Sequence, residues 1–363
     1  MSQHPDVLII GGGVIGLSCA YCLARDGVAV TVVDKGDLGR EASWAGAGIL
    51  PPGNPARARG EVARLRAYGS AMHEALAKEL RERTGIDNGY VRSGGLELLV
   101  SLGESSEQEW LEEEIAFERL DGAAVRRVEP ALATGVNAGY FLPDMAQVRN
   151  PRHLKAMIAA CASLGVILRP HCRVEKLISR NGKLHGVATS HGELSAGQFL
   201  LAAGAWTEEL LQEMGIRLGI RPMRGQIVLL NTGTPLLHRI VLEGRRYLVP
   251  RQDGYVLVGS TEEDVGFDQQ TTAQAIGELL QFAVTLVPAL QRAAVERTWA
   301  GLRPGSPDEL PFLGRVPGWE NVLAAAGHFR AGIQLAPITG VLVKELILGQ
   351  ALTLPLESFR LGR

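Results

Sequence analysis

Gly11, Gly13 and Gly16 are spaced G-x-G-x-x-G between an apolar run, Val7–Ile10, and an amphipathic stretch, Val14–Asp26. Between a strand and a helix that spacing suits one task, the holding of a pyrophosphate. Gly11 allows the tight turn, Gly13 removes a side chain where phosphate must reach backbone N–H groups, and Gly16 lets helix pack on strand. The N-terminus of the helix adds partial positive charge. Asp34 follows Gly16 by 18 residues at the end of the next apolar run, Val28–Asp34. There a carboxylate can accept both hydroxyls of a ribose and repels a 2′-phosphate. No second fingerprint follows a strand, so one site serves one dinucleotide.

The stretch Glu41–Leu50 bears on whether that dinucleotide carries nicotinamide or flavin. Ala42, Ser43, Ala45, Gly46, Ala47 and Gly48 are small, with Trp44 and Ile49 among them. Such a run lets backbone lie against a pyrophosphate and the edge of a bulky ring, which favours FAD. The plainer alternative is a small-residue segment that packs helices together. Near the other end of the chain, Arg303 closes an apolar stretch, Trp299–Pro304, whose proline favours extended backbone. A guanidinium in such surroundings must be paired. Its planar fork suits a bidentate clamp on a substrate carboxylate, and an internal ion pair accounts for it equally well. Tyr247 can donate its hydroxyl to the same carboxylate, or it packs as most strand tyrosines do.

These residues need a scaffold that brings both ends of the chain together. The 363 residues are 46% hydrophobic and 21% charged with a formal net charge of −2, the composition of an ordinary folded protein with room for two medium domains. That balance gives no electrostatic pull toward nucleic acid or an anionic membrane. Four cysteines cannot form a disulfide framework at this size, which points to a reducing, cytoplasmic setting. The 44 glycines imply many tight turns and close backbone approaches. Val7–Ala24 has the apolarity of a leader or a short span, but three glycines interrupt it and no basic region precedes it. It is expected to be buried strand, turn and helix, with no integral membrane segment.

Periodicity predicts strand Val7–Ile10, helix Val14–Asp26 and strand Val28–Asp34, a βαβ unit that begins a parallel sheet. Helical spacing returns over Arg64–Arg83 and Ser106–Leu120. Asn150-Pro151 reads as an N-cap with proline at the first helical position, opening a helix to Leu164. Strands are expected at Val166–Leu168, Val174–Ser179, Leu184–Ser190 and Phe199–Ala203, the middle two joined by the type I′ signal Asn181-Gly182. Alternation after Pro222 predicts strands at Gln226–Leu230, Arg246–Pro250 and Val256–Gly259, followed by Val322–Ala325 and a closing helix, Gly332–Leu348. The expected class is α/β. A discontinuous Rossmann-type FAD-binding domain (residues 1–85, 145–221 and 315–363) carries an inserted α+β substrate domain (86–144 and 222–314) dominated by an antiparallel sheet.

In order along the chain, the fingerprint, Ala42–Leu50, Arg221–Gln226, Tyr247–Pro250, Gly301–Pro304 and Ala326–Ile333 resemble the FAD-dependent D-amino-acid oxidase superfamily, and within it the glycine oxidases of thiamine biosynthesis. The resemblance runs over nearly the whole length. It implies non-covalent FAD, held at Val14 and Ile15 in the cradle, Asp34 and Lys35 at the ribose, and Ala42 and Ser43. Ala47, Gly48 and Ile49 follow near the ring, with Val174, Gly204 and the stretch Gly327, His328, Phe329, Arg330, Ala331, Gly332, Ile333 and Gln334. That stretch leads into a helix N-terminus, whose N–H groups can stabilise negative charge on a reduced flavin.

The resemblance also implies that Arg303, Tyr247 and Arg330 meet the substrate, while His328 orients the cofactor loop. The reaction implied is hydride transfer from glycine, sarcosine or a small D-amino acid to flavin. It yields a 2-oxo acid such as glyoxylate, ammonia or an amine, and H2O2 from O2. An alternative keeps the flavin and passes electrons to a quinone or partner protein, as in amino-acid dehydrogenases and cyanide-synthase-like subunits. Relatives form homotetramers, which implies a homo-oligomer. Two positions depart from the pattern: Glu262 stands where the best-known glycine oxidases have an apolar residue, usually Met, and Ile49 replaces a Met near the ring. A carboxylate at the pocket is expected to turn preference from apolar D-amino acids toward glycine and small polar amines; a solvated acidic turn is the plainer reading. The remaining features are read as structural. Cys19 and Cys22 pack inside the first helix, Glu112-Glu113-Glu114 forms a solvated helix face, and no metal-ligand spacing is present.

Overall fold

Val7–Ile10 is buried at every residue and lies within a six-stranded sheet in the computed structural model, which describes residues 5–99 and 105–363. The strand order is Phe312–Arg315, Val322–Ala326, Gln198–Leu201, Val7–Ile10, Val30–Val33 and Ile167–Arg169. Every pairing is parallel except the first, a hairpin. Continuous apolar runs suit this sheet because both its faces are covered. Val7 and Ile9 pack with the helices Val14–Arg25, Gly60–Thr84, Asn150–Ser163 and Gly332–Leu348. Leu8 and Ile10 point the other way, against a three-stranded sheet of Val174–Arg180, Lys183–Thr189 and Gly192–Leu194. Asn181 and Gly182 both take positive φ, 52° and 72°, as a type I′ turn requires.

The second large sheet has eight strands. Their order is Ala294–Gly305, Arg221–Asn231, Tyr255–Gly259, Arg246–Pro250, Ile240–Glu243, Gly95–Leu98, Ala138–Leu142 and Glu118–Asp121. It is antiparallel save for the parallel contact of Ile240–Glu243 with Gly95–Leu98. The helix Ala273–Leu286, for which sequence reading gave no expectation, covers its outer face and is capped by the Thr272 hydroxyl. Parallel material from both ends of the chain with an antiparallel sheet between is the α/β class expected. Residues 1–4 and 100–104, which fall in the expected FAD-binding and substrate segments, lie outside the described residues.

Two local expectations are corrected. The helix expected over Ser106–Leu120 spans Ser105–Glu112, and Glu114 turns to φ 52° behind it. Glu118–Asp121 instead pairs with Ala138–Leu142, so tertiary strand pairing overrides local helical spacing. The helix expected to be capped by Asn150 has Arg149 at its N-cap, and the Asn150 amide is used elsewhere. The described segment Phe329–Leu348 is long and apolar enough to cross a membrane, yet its middle, Gln334–Gly340, is buried in this core.

Candidate active site

A cavity of about 1020 Å³ lies between the glycine turn and the eight-stranded sheet. Gly11, Gly13, Val14, Asp34 and Ser43 line one part of it. Gly11 has φ 114°, and a methyl group there would strike the Ala202 carbonyl. Gly16 does not line the cavity; it sets the distance of helix from strand, since a Cβ would strike the Gly11 carbonyl. The Val14 N–H donates to Ser43 Oγ at 2.9 Å, and Asn150 Nδ2 donates to the Ser43 carbonyl at 2.8 Å. Asp34 closes the turn, its Oδ2 accepting from Gly12 N–H at 2.7 Å and Oδ1 from Gly36 N–H at 2.9 Å. Lys35 lies with Nζ 3.2 Å from the centre of the Trp206 ring, and burial lowers its pKa. Ile15, Val174 and Gly204 line the cavity too, as do Ala42, Ala47, Gly48 and Ile49 of the small-residue run.

Arg303 projects from strand Ala294–Gly305 across Gly225 of the neighbouring strand; a methyl at 225 would collide with the guanidinium. Its Nη2 donates to Ser260 Oγ at 2.6 Å and its Nη1 to the Thr261 carbonyl at 3.2 Å. Both acceptors are neutral, and among the described residues no carboxylate comes within ion-pair distance. Burial lowers the pKa of this guanidinium, opposed by the neighbouring Tyr247. Tyr247 is itself buried and lines the cavity, in one apolar cluster with Ile49, Trp110, Ile115 and Leu242.

Arg330 lines the cavity as well, and it is paired. Its Nη1 lies 3.0 Å from Glu262 Oε2, while Arg245 takes Glu262 Oε1. Glu262 is not part of the cavity lining, and both its oxygens are taken by these arginines, which line it. His328, Phe329 and Ala331 to Gln334 lead along the cavity into the helix Gly332–Leu348, with Gly327 behind them. His328 Nε2 is 3.1 Å from Thr339 Oγ1, and burial pushes its pKa down to about 3, leaving the ring neutral. In the acidic run Glu112 and Glu114 are exposed, while Glu113, beyond the helix end, is partly buried, which raises its pKa; Glu112 and Glu113 also line the cavity.

Sequence reading missed three residues that shape this site. Gly225 makes room for Arg303. Asn150 ties Ser43 to the helix Asn150–Ser163. Arg251, buried without an ion-pair partner among the described residues, donates to Gln147 Oε1 at 2.5 Å, the Val148 carbonyl at 3.1 Å and the Ala47 carbonyl at 2.7 Å. Burial lowers its pKa to about 10. It pins the small-residue run to the eight-stranded sheet, and no spacing in the sequence signals that role.

Glycine turn, Asp34 and helix N-terminus share one cavity with a second helix start at Gly332, and its size suits a dinucleotide. These residues fit FAD. The profile of the DAO family, described as FAD dependent oxidoreductase, matches residues 6–346. The chain belongs to the DAO family. Glycine oxidase of Pseudomonas putida is 39% identical over 349 residues, covering 96% of this chain and 95% of that protein. The hydrogen cyanide synthase subunit HcnC of Pseudomonas aeruginosa is 35% identical over 408 residues, covering 100% and 97%. Among solved structures, glycine oxidase from Geobacillus kaustophilus superposes with a TM-score of 0.93 at 32% identity, covering 100% and 99%. This DAO-family member is an FAD-dependent amino-acid oxidase.

Proposed function

We propose that the enzyme oxidatively deaminates glycine and other small amines or amino acids, including sarcosine and small D-amino acids. The products are a 2-oxo acid such as glyoxylate, ammonia or an amine, and H2O2, with O2 as final acceptor. The observation that carries this reading is Arg303, a charged guanidinium in the cavity wall with only neutral protein acceptors. It has unfilled capacity for one carboxylate, which its fork can grip through two parallel hydrogen bonds. In this reading the Tyr247 hydroxyl donates to the same group, supported by its place in the cavity wall. Ile49, Trp110, Ile115 and Leu242 wall the cavity beside Tyr247, which favours a short side chain.

FAD, held without a covalent bond along Gly11–Ile15, Asp34, Lys35, Ala42–Ile49 and the stretch 327–334, supplies the two-electron acceptor chemistry. The protein's part is orientation. With its carboxylate anchored, the amino acid releases its ammonium proton to solvent and presents its α-C–H toward the start of the closing helix. Loss of two electrons and the α-hydrogen leaves an imino acid, which water hydrolyses. His328, neutral and bonded to Thr339, acts as a support for the loop rather than as a base.

The relation to HcnC favours a second reading, in which the same oxidation feeds a quinone or a protein partner. Anaerobic addition of glycine, sarcosine and D-alanine in turn, followed by air, separates the two. Bleaching of the flavin absorbance by glycine with stoichiometric H2O2 on aeration is expected. Bleaching without peroxide supports the dehydrogenase, and no bleaching by any of the three amines overturns both readings.

A further inference from the structure

The closing helix Gly332–Leu348 contains a proline in its second turn, Pro337. In an α-helix the carbonyl of residue 333 accepts from the N–H of residue 337, which proline lacks, and the ring crowds that carbonyl off the helix axis. Ile333 and Gln334 both line the cavity, so the interrupted turn belongs to the site. A side chain from another helix reaches it. His73, buried on Gly60–Thr84, has Nε2 3.0 Å from the Ile333 carbonyl and 3.3 Å from the Gln334 carbonyl. The helices approach this closely because residue 69 is glycine; a Cβ there would sit 2.5 Å from the Gln334 carbonyl.

A carbonyl oxygen only accepts, so His73 carries its proton on Nε2 and offers Nδ1 as an acceptor. Burial lowers its pKa to about 4 and keeps the ring neutral at neutral pH. The neighbouring imidazole, His153, has its ring centre 6.0 Å away and accepts from Asn88 Nδ2 at 3.1 Å through Nδ1, which puts its own proton on Nε2. The Asn88 amide is oriented independently, because its Oδ1 accepts from the Tyr90 N–H at 3.0 Å. The two rings are therefore held in defined tautomers, His73 with a buried acceptor at Nδ1 and His153 with a buried donor at Nε2, neither bonded to another described residue.

We propose that His73 is a positioning residue: its Nε2–H replaces the backbone donor that Pro337 removes and so fixes the first turn of the closing helix, where the flavin-facing segment 328–334 joins it. The consequence for the cofactor rests on placing FAD along that segment.

The test compares wild type with His73→Leu, Pro337→Ala and the double variant, reading the thermal midpoint of the FAD-saturated protein, the FAD dissociation constant and the flavin midpoint potential. His73→Leu is expected to lower the midpoint temperature by several degrees and to weaken FAD binding at least tenfold. Pro337→Ala restores the backbone N–H, so adding it to His73→Leu is expected to recover most of both losses. A purely packing role for His73 would not be rescued by a change on a different helix. Losses in the double variant that equal the sum of the single losses would overturn the donor replacement, as would a His73→Leu protein with wild-type midpoint temperature. Should His73→Leu fail to fold, recovery of folding in the double variant supports the proposal and continued failure overturns it. Rescue of the midpoint temperature with FAD affinity and potential unmoved in every variant would leave the donor replacement standing and overturn the placing of FAD on this turn.

Discussion

Arg224 and Arg303 sit on adjacent strands of the eight-stranded sheet, both drawn in from solvent, and their surroundings are opposite. Arg224 lies between two acids, its Nη2 2.6 Å from Glu263 Oε2 and its Nη1 2.5 Å from Asp268 Oδ2, and its backbone bridges to Glu263 as well. Arg303, which follows the register partner of Arg224, Leu302, meets a hydroxyl and a carbonyl. A guanidinium already matched by protein carboxylates has no call on a ligand and holds structure together. One matched only by neutral oxygens keeps most of its charge for an outside anion. Of the clamp and the internal ion pair, which the sequence left equally open for Arg303, the ion pair is found on Arg224, and the clamp at Arg303 is the reading proposed above.

The largest effect that sharpens this contrast comes from Arg303→Met. Truncating one side of a desolvated charge pair costs about 4 kcal/mol at sites of this kind, so kcat/KM for glycine is expected to fall by about a thousandfold. Flavin content is retained, and the unfolding midpoint of the variant in urea does not fall, because a buried charge without a carboxylate partner has been removed. Steady-state kinetics and urea unfolding of the same preparation check both halves. A loss of stability matching the loss of activity would make Arg303 a structural residue like Arg224.

Arg224→Met should give the reverse pattern at smaller size. It leaves Glu263 and Asp268 without their cation, and since Asp268 is about half exposed the cost in unfolding free energy is about 2 kcal/mol, below the full penalty of a wholly buried pair. The kcat/KM is expected to stay within a few-fold of wild type. An Arg224→Met enzyme that is stable but inactive would erase the distinction between the two positions.

The difference between the two arginines also marks how far the sequence could be read. The βαβ unit and its glycine cradle were legible because their signals are local: strand, turn and helix within residues 7–34, and Val7–Ile10 and Gly332–Leu348 form with the bounds expected. The identity of Arg303 as a candidate was legible from its apolar context, but its lack of a carboxylate partner depends on how strands Arg221–Asn231 and Ala294–Gly305 pair, a contact between residues far apart in sequence. Arg251 and Asn150 were silent for the same reason, since each acts on a carbonyl more than a hundred residues away. Glu118–Asp121 was misjudged because a strand at a sheet edge takes its conformation from the partner it pairs with. The pairing of Glu262 with Arg245 and Arg330 was silent because sequence position puts a side chain near a pocket without saying which neighbour claims it.

Glu262 supplies the smallest and most discriminating test. Its carboxylate faces the cavity through Arg330 and Arg245, which both line it, so its removal changes the field on the substrate carboxylate, a group that every amino-acid substrate shares. Arg330 and Arg245 are partly exposed, and pairs of that kind are worth about 0.5–1 kcal/mol. In Glu262→Met the freed positive charge of Arg330 should lower KM for glycine and for D-alanine by a similar two- to fivefold, with kcat unchanged, the signature of uniform binding. Added salt should shrink that gain, since the effect is carried by charge near solvent. The ratio of kcat/KM for D-alanine to that for glycine should move less than twofold. A tenfold rise in that ratio would mean that Glu262 touches the substrate side chain directly, and that residue 262 sets selectivity by contact while Arg303 sets it by charge.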